Sequence, residues 1–396
     1  MRILILGTGL MGPAAAYNAM SDPAVTQVVM GDVRRAALDA ALQQLAGRPG
    51  AEKLSAADLD ITDPAAAARV MAGFNAVVTA LPWSASLTAI TAALQAGVPL
   101  VDLARPDYNQ LEGLRRAAAA GRPIILGCGL EPGLTEIMAR YLGERMDRVD
   151  ELRIQCGGIP AEPAPPLGYK IVYGGRQLPL QAADAWAVQD GRLVAVPRYS
   201  GVEDVTFPGV GACEAWHEGF VPTLLELPAF RHLRAGTQKT VRWPGYAQRA
   251  ALLKELGLLD EAPVEVGGVP VSPKRFLDAL LYPRVARAAG ERDVTVLRVV
   301  AIGRKAGRPC RHAVEMVDRY DEAQGFTAMA RTTAFTGSIV ARMIGRGDLA
   351  AGGLFTPEQV ITGGLFDRLV GELAACGIHF DRVTEEVARL DPGPSV

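Results

Sequence analysis

A glycine-rich turn near the start of the chain is the feature that most limits its possible folds. Residues 2–6 are mainly branched and apolar, which predicts a buried strand, and the pattern Gly-x-Gly-x-x-Gly occupies residues 7–12. An alanine-rich helix is predicted from about Leu10 to Met20. A strand, a glycine-rich turn and a helix in this order are typical of a domain that binds a dinucleotide. A turn that binds no ligand is the alternative.

Each glycine of this turn has its own physical role. Gly7 permits the tight turn out of the strand, Gly9 lets a pyrophosphate approach bare backbone, and Gly12 lets the helix pack closely on the sheet. The amide groups at the start of the helix, with their partial positive charge, suit the phosphates. The residues of the turn that we expect to bind the cofactor are Gly7, Thr8, Gly9, Leu10, Met11 and Gly12.

The end of the second predicted strand, residues 26–31, bears on the choice of cofactor. Asp32 follows this strand at a position where a carboxylate accepts hydrogen bonds from the ribose hydroxyls of NAD. Arg34 and Arg35 come next, and an arginine here can pair with the 2′-phosphate of NADP. Because Asp32 would repel that phosphate, the sequence favours NAD, and NADP stays possible. The expected cofactor contacts in this segment are Asp32, Val33 and Arg34.

Strands and helices alternate through the first 130 residues, which predicts an α/β domain with a doubly wound, Rossmann-type parallel sheet. Further strands are predicted at residues 53–60, 74–81, 99–103 and 123–126. In such sheets ligands bind beyond the carboxyl ends of the strands. We therefore expect the nicotinamide to lie near Leu81, Pro82, residues 102–106, which include Asp102, and residues 127–133, which include Glu131.

The predicted secondary-structure pattern changes at about residue 150, after which long turn-rich connections separate the strands. Strands are predicted at Glu151–Cys156, Tyr169–Tyr173, Arg192–Val196, Thr237–Trp243 and Val294–Ile302, the last forming a hairpin with residues 309–317. This pattern predicts a second, α+β domain with a largely antiparallel sheet.

Two domains follow from these patterns. Residues 1–130 and about 327–396 are expected to form the dinucleotide-binding domain, to which a helix over residues 327–345 returns the chain. Residues 131–326 are expected to form the catalytic, substrate-binding and dimerisation domain. We expect the tail at residues 391–396 to be disordered.

The composition argues against several classes of protein. A net charge of -2 and the lack of a basic run disfavour a nucleic-acid partner, and no apolar stretch reaches transmembrane length. The apolar run after Arg2 ends too early for a signal peptide. The five cysteines are dispersed, which fits reduced thiols in the cytoplasm and predicts no metal site.

Three stretches outside the glycine-rich turn resemble the saccharopine dehydrogenase-like family, most closely its lysine 6-dehydrogenase branch. They are the glycine- and proline-rich residues 157–169, the Lys-Thr-Val-Arg-Trp-Pro-Gly element at residues 239–245, and residues 328–334 with 344–347. The chain departs from that branch at residues 214–220 and at Tyr246, where a histidine is common. These departures lie in loops expected to touch the substrate, so they leave the identity of the amine open.

The resemblance implies an NAD(P)-dependent oxidoreductase that acts on the CH–NH or CH–NH2 bond of an amino acid. Our leading hypothesis is a lysine 6-dehydrogenase-like reaction, in which an amine becomes an imine as hydride passes to the nicotinamide. The alternatives are a saccharopine- or carboxynorspermidine-type reductase that makes a secondary amine, and a non-catalytic NAD-binding protein. The expected substrate is a small amino acid or polyamine, and by analogy the chain is expected to form a homodimer.

Oxidation of an amine requires a base, because the amine must first lose a proton. Asp102 is one candidate, with a loop-capping carboxylate as the alternative. Lys170 could relay the proton or be a solvated strand residue. Glu131 could bind the substrate ammonium or simply stabilise a helix N-terminus.

Residues of the second domain are expected to hold the rest of the substrate. Arg242 alternates with apolar neighbours on a strand, which suits a forked donor for a substrate carboxylate, or an ordinary exposed arginine. His217 follows Glu214 by three residues, although a lone histidine is more often structural. The full predicted set of substrate contacts is Tyr169, Glu214, His217, Lys239 and Arg242.

Overall fold

Two large β-sheets and a separate hairpin organise the chain in the computed structural model. The structure describes residues 1–119, 121–173, 175–288, 290–349 and 351–386, so our expectation for residues 391–396 lies outside the described residues. The element order and pairing below refer to these ranges.

The first sheet contains seven parallel strands and confirms the predicted Rossmann-type fold. Its spatial order is β17-β6-β5-β4-β1-β2-β3. The strands are β1 (Arg2–Leu6), β2 (Gln27–Asp32), β3 (Leu54–Asp58), β4 (Ala76–Thr79), β5 (Leu100–Asp102), β6 (Pro123–Ile125) and β17 (Gly353–Phe355). The last of these, at the edge of the sheet, was not predicted, because three residues are too few to show a strand period.

Five helices connect these strands. They are α1 (Gly12–Met20), α2 (Arg35–Leu45), α3 (Pro64–Met71), α4 (Trp83–Ala96) and α5 (Leu111–Ala118). Local chemistry sets their ends. The Asp63 carboxylate accepts the Ala66 amide at 2.9 Å and caps α3, while Gly97 ends α4 in the left-handed conformation, with φ of 64°.

The second sheet is mixed and mainly antiparallel, as predicted. Its path is β10-β11-β12-β7-β15-β16-β18, in which only β12 and β7 run parallel, and β8 branches from β12 to pair with β9. The strands are β7 (Arg148–Pro160), β8 (Ala185–Gln189), β9 (Arg192–Val196), β10 (Glu203–Phe207), β11 (Gly211–His217), β12 (Ala235–Arg242), β15 (Asp293–Lys305), β16 (Arg308–Arg319) and β18 (Asp381–Glu386). Since β18 pairs with β16, the end of the described chain joins this sheet.

Three helices and a small hairpin complete the middle of the chain. The helices are α6 (Leu134–Gly143), α7 (Tyr246–Glu255) and α8 (Pro273–Val285), and the hairpin is β13 (Val264–Val266) with β14 (Val269–Val271). Helix α6 packs on β7, β15 and β16. The predicted hairpin of β15 and β16 is present, with Ala306 (φ 49°) and Gly307 (φ 73°) making a two-residue turn of the kind that suits twisted strands.

The predicted strand at Tyr169–Tyr173 is wrong. These residues form a loop whose amides bond elsewhere: Tyr169 donates to the Ala164 carbonyl, and Ile171 donates to the Val285 carbonyl at the end of α8. Tyr169 is completely buried. The branched and aromatic residues here therefore pack into the core from a loop. A short apolar run in the sequence does not distinguish a buried loop from a buried strand.

The returning helix is present and is interrupted by a π-helical turn. It comprises α9 (Ala328–Ala330), the π turn Arg331–Phe335 and α10 (Thr336–Arg346), followed by α11 (Pro357–Val360) and α12 (Gly364–Ala375). Buried Arg331 pairs with Asp318 of β16 at 3.0 Å and with Asp321 at 2.6 Å. Because α9 packs on β15 while α10 packs on α1, β4 and β5, the returning helix contacts both sheets.

A matched pair of glycine substitutions tests the turn at the head of α1. A Cβ at Gly12 would lie 1.9 Å from the Gly7 carbonyl oxygen, whereas a Cβ at Gly9 would meet nothing within 4 Å. We expect Gly12→Ala to lower the free energy of unfolding by about 1–3 kcal/mol through overpacking. Gly9→Ala should change it by less than about 0.5 kcal/mol. Urea unfolding of the two variants measures both values, and equal stabilities would contradict the close packing.

Candidate functional site

The carboxyl edge of the parallel sheet brings together the residues predicted to bind the cofactor. The glycine-rich turn follows β1, and Leu81 and Pro82 follow β4. Asp32 is the last residue of β2, and Val33 and Arg34 come after it. Strands β4, β1 and β2 are neighbours in the sheet. Gly7 has φ of 94°, and a Cβ there would lie 2.7 Å from the Ala80 carbonyl oxygen. Bare backbone at Gly9 faces open space. This edge therefore fits a dinucleotide phosphate.

Asp32 is held by hydrogen bonds from both of its neighbouring segments. Its Oδ2 accepts the Thr8 amide at 2.9 Å and the Thr8 hydroxyl at 2.7 Å. Its Oδ1 accepts the Arg34 amide at 2.9 Å and Arg34 Nε at 3.2 Å. Burial would raise the pKa of Asp32, but the bonds from Arg34 and Thr8 outweigh it and lower the pKa to about 2. The exposed Arg34 guanidinium thus lies directly beside the predicted ribose ligand.

Asp102 is completely buried at the end of β5. Its Oδ1 accepts Thr79 Oγ1 at 2.8 Å, Ser86 Oγ at 3.1 Å and the Ala104 amide at 3.0 Å, while Oδ2 has no partner among the described residues. Burial raises the pKa of Asp102 to about 6, although these hydrogen bonds oppose the rise. The bond to Ala104 fits the loop-capping alternative, in which Asp102 orders the turn after its strand.

Glu131, Glu136 and Gln238 form a buried cluster where the loop after β6 meets β12. The side-chain amide of Gln238 donates to Glu131 Oε1 at 2.8 Å and to Glu136 Oε1 at 2.9 Å. The guanidinium of Arg105, which follows β5, lies 3.9 Å from Glu131 Oε1. Burial raises the pKa of Glu131 to about 7; Arg105 opposes the rise and Glu136 adds to it. A carboxyl that titrates near neutrality suits a general base.

Arg242 lies on the same face of β12 as Gln238, four residues along the strand. It is 3% exposed, and its guanidinium lies 5.0 Å from the centre of the Tyr169 ring and 5.7 Å from that of Tyr246. Arg242 Nη1 donates to the Val241 carbonyl at 2.8 Å, and Nε has no partner. Among the described residues, no carboxylate lies within ion-pair distance of this guanidinium. It is therefore a buried cation that can accept a ligand anion.

Tyr173 lies near this arrangement and is 37% exposed. Partial desolvation raises the pKa of Tyr173, and the charges of Arg242, Glu218, Glu131 and Arg105 all act on it. Glu218 itself accepts Arg198 Nη1 at 2.6 Å. These residues define the candidate substrate site: Arg105, Glu131, Glu136, Tyr169, Tyr173, Glu218, Gln238, Arg242 and Tyr246.

Three residues predicted to bind substrate have other partners. The carboxylate of Glu214 accepts the amides of Gly245 at 2.7 Å and Ala247 at 2.6 Å, and so caps α7. Lys239 alternates with Gln238 and so faces the other side of the sheet, where its ammonium donates to the Gly201 carbonyl at 2.7 Å and pairs with Glu203 at 3.1 Å.

His217 faces the same side as Lys239, its partner across the two strands. Burial, and next the charge of Lys239, lower the pKa of His217. The neutral imidazole lies against Gly201, where a Cβ would come within 2.3 Å of Nε2. These contacts fit the structural alternative for His217.

Lys170 lies outside the cluster around Glu131. Its ammonium pairs with Glu291 at 3.1 Å and donates to the Ala286 carbonyl at 3.3 Å. It therefore ties the loop after β7 to the segment that follows α8.

Matches to known proteins account for nearly the whole chain. Residues 3–126 match the family model described as the saccharopine dehydrogenase NADP binding domain, and residues 129–378 match the saccharopine dehydrogenase C-terminal domain. The chain belongs to the saccharopine dehydrogenase family. It is accordingly an oxidoreductase-family protein with a nicotinamide-cofactor domain.

Individual relatives of this saccharopine dehydrogenase family member are distant. The chain is 23% identical to carboxyaminopropylagmatine dehydrogenase of Synechocystis, over 91% of this chain and 92% of that protein. It is also 23% identical to the NADP+-dependent, L-glutamate-forming saccharopine dehydrogenase of Saccharomyces cerevisiae, over 68% of this chain but 61% of that protein. The apo structure of L-Glu-forming saccharopine dehydrogenase from that yeast superposes with a TM-score of 0.77, over 97% of this chain and 99% of that one, at 17% identity, which supports the shared fold.

Several residues of the site were missed by the sequence analysis of this family member. Arg105 lies in residues 102–106, which the rule about carboxyl ends places near the nicotinamide, but it was not singled out as a site residue. Gln238 precedes Arg242 by four residues, a spacing that puts both on one face of a strand. Glu136 and Glu218 carry no such local signal. In the part of the chain that the structure describes, no helix combines the length and apolar character of a membrane span.

The pH dependence of stability tests the buried state of Asp102. The pKa of Asp102 is raised from 3.8 to about 6, so the folded chain binds this proton more tightly than the unfolded chain does. The free energy of unfolding therefore falls as the pH rises from about 4 to about 6. Asp102→Asn keeps the Oδ1 acceptor and removes this loss. Relative to the native chain, the variant should therefore gain about 2–3 kcal/mol between pH 4 and pH 7, at about 1.36 kcal/mol per pKa unit.

Urea unfolding at several pH values measures this difference. Asp204→Asn, at an exposed residue of β10, is the matched control and should change far less with pH. A constant difference for Asp102→Asn as well would contradict a buried, raised-pKa carboxyl. Retention of turnover by Asp102→Asn would separate the loop-capping role from the catalytic one.

Proposed function

We propose that this chain oxidises, reversibly, a carbon–nitrogen bond of an extended amino-acid-derived amine, with NADP or NAD as hydride acceptor. The observation that carries the proposal is the pairing of an acidic cluster and an unpaired guanidinium on one face of β12. Gln238 and Arg242 are four residues apart, or about 13 Å along a strand at 3.3 Å per residue. A substrate with an amine at one end and a carboxylate at the other matches this spacing.

The cluster around Glu131 supplies the acid–base chemistry of the proposal. The nicotinamide, when bound, accepts hydride from the carbon next to the nitrogen. Glu131, with its pKa near 7, takes the proton from the substrate ammonium, because only the neutral amine can be oxidised. Arg105 stabilises the ionised form of Glu131, and Gln238 fixes its Oε1.

Arg242 positions the far end of the substrate. Its guanidinium is fixed over two tyrosine rings and keeps unused donors, so a carboxylate can bind it in a forked geometry. The tyrosine rings also exclude water, which strengthens this pairing. Substrate orientation of this kind contributes to catalysis by holding the reacting carbon in place.

Two substrate types remain within this proposal. The lysine 6-dehydrogenase type oxidises a primary side-chain amine to an imine, and the second type forms or cleaves a secondary amine. The match to carboxyaminopropylagmatine dehydrogenase, which covers 91% of this chain, favours the second type. The name of that relative specifies a substrate with carboxyl and amino groups. The name of the matching cofactor domain favours NADP, and the exposed Arg34 is the residue that would pair with its 2′-phosphate.

Absorbance of the reduced nicotinamide distinguishes these possibilities. Purified protein is assayed with NAD or NADP and a panel of amino acids and diamines, and with NADH or NADPH and aldehyde–amine pairs. Turnover with free lysine supports the first type, and turnover only with an aldehyde plus an amine supports the second. Cofactor binding without turnover in either direction would favour a non-catalytic nucleotide-binding protein.

Replacement of Glu131 tests the proposed base. Because Glu131 must be ionised, kcat for amine oxidation should fall as pH decreases below about 7. Glu131→Gln should lower kcat about 100- to 10,000-fold and remove this limb of the profile. The control is Glu112→Gln, an exposed acid in the first turn of α5. A native pH profile in Glu131→Gln would assign the base elsewhere.

Replacement of Arg242 tests the carboxylate contact. Arg242→Lys keeps the charge but loses the fork, so KM for a carboxylate-bearing substrate should rise about 10- to 100-fold. KM for the matching amine without a carboxylate should stay within about twofold of the native value, because that amine has no carboxylate for Arg242 to bind. Steady-state kinetics with the substrate pair measures both constants. An equal rise for the two amines would contradict the contact.

A further inference from the structure

A cavity of about 270 Å3 lies beside the glycine-rich turn. Thr8, Gly9 and Leu10 line one side of it, and small residues of α2 line another. Arg287, from the segment after α8 in the second domain, reaches this cavity and is the only charged residue among the described residues that line it. A cation therefore shares this cavity with the backbone of the glycine-rich turn.

The guanidinium of Arg287 retains unused hydrogen-bond donors. Its Nη1 donates to the Glu291 carbonyl at 2.8 Å, whereas its Nε is buried and has no partner among the described residues. No described carboxylate lies within ion-pair distance of it. A buried donor without an acceptor lowers stability, and a ligand anion would remove that cost.

One ion pair and two hydrogen bonds fix the segment that carries Arg287. The Lys170 ammonium pairs with Glu291 Oε1 at 3.1 Å and donates to the Ala286 carbonyl at 3.3 Å. Glu291 Oε2 accepts the Ala288 amide at 2.7 Å. Residues on both sides of Arg287 are thus held, and the bond from its Nη1 to the Glu291 carbonyl restrains the guanidinium, which reduces the side-chain entropy lost on binding.

We propose that Arg287 binds the pyrophosphate of the dinucleotide from the second domain, with Lys170 and Glu291 as positioning residues. The inference rests on the cofactor assignment of the proposed function. Pyrophosphate is the group concerned because Thr8, Gly9 and Leu10 share the cavity with Arg287. Neither Asp32 and Arg34 at the ribose end nor Glu131 at the substrate end lines it. Arg287 would then couple cofactor binding to contact between the two domains.

Direct binding measurements test the role of Arg287 independently of turnover. NADPH and NADH fluorescence titrations and ADP calorimetry are carried out on the full chain and on Arg287→Ala. A charge-assisted contact to a group shared by all three ligands should weaken each about 10- to 100-fold when removed. Arg284→Ala, an exposed arginine in the last turn of α8, is the matched control and should bind all three as the native chain does.

Two further variants guard against a folding artefact. Arg287→Lys keeps a cation and should lose less affinity than Arg287→Ala. Lys170→Met leaves Arg287 in place but releases its support, so a smaller loss of affinity for all three ligands is expected. Thermal melts establish that each variant is folded before titration.

The outcomes separate this inference from the proposed function. Unchanged affinities in folded Arg287→Ala would overturn it, as would a loss confined to NADPH, which would assign Arg287 to the 2′-phosphate instead. Failure of the native chain to bind either cofactor would contradict the proposed function and this inference with it. Parallel losses for NADPH, NADH and ADP support the pyrophosphate contact.

Discussion

The arrangement of the site depends on one side-chain amide, that of Gln238. It donates to Glu131 on the loop after β6 and to Glu136 on α6, and its own oxygen accepts the Val221 amide. Two buried carboxyls would repel each other if both were ionised, and a shared donor reduces that repulsion while fixing both groups. Because Gln238 is on β12, this contact also sets how the second sheet meets the carboxyl edge of the first.

The two faces of β12 explain which predicted residues come together. Side chains alternate along a strand, so Gln238 and Arg242 share one face while Lys239 lies on the other. His217 pairs with Lys239 across β11 and β12 and so follows it to the far side. The sequence analysis had placed Arg242, Lys239 and His217 in one substrate-binding set, but the strand period puts Arg242 on one face of the sheet and the other two on the opposite face.

The cofactor half of the molecule was predictable because its signals are local. A strand, a turn, a helix and a second strand within about 30 residues determine where Gly7, Gly9, Gly12 and Asp32 lie. The substrate half depends on contacts between segments more than 100 residues apart, such as Glu131 with Gln238. The loop at Tyr169–Tyr173 was also mispredicted from the sequence. Its apolar residues indicate that the segment is buried, but they do not indicate whether it is a strand or a loop.

The charges of the substrate site are incompletely matched inside the protein. Burial raises the pKa of Glu131 and that of Glu358 to about 7 in each case, and the charge of Glu136 adds to both rises. Arg242, on the same site, is a buried cation with no carboxylate in ion-pair distance among the described residues. A buried charged group without a partner lowers the free energy of unfolding, and packing around it does not make up for that loss. A ligand that carries a cationic nitrogen and a carboxylate would satisfy both ends at once, and this is the physical reason for expecting an amino-acid-type substrate there.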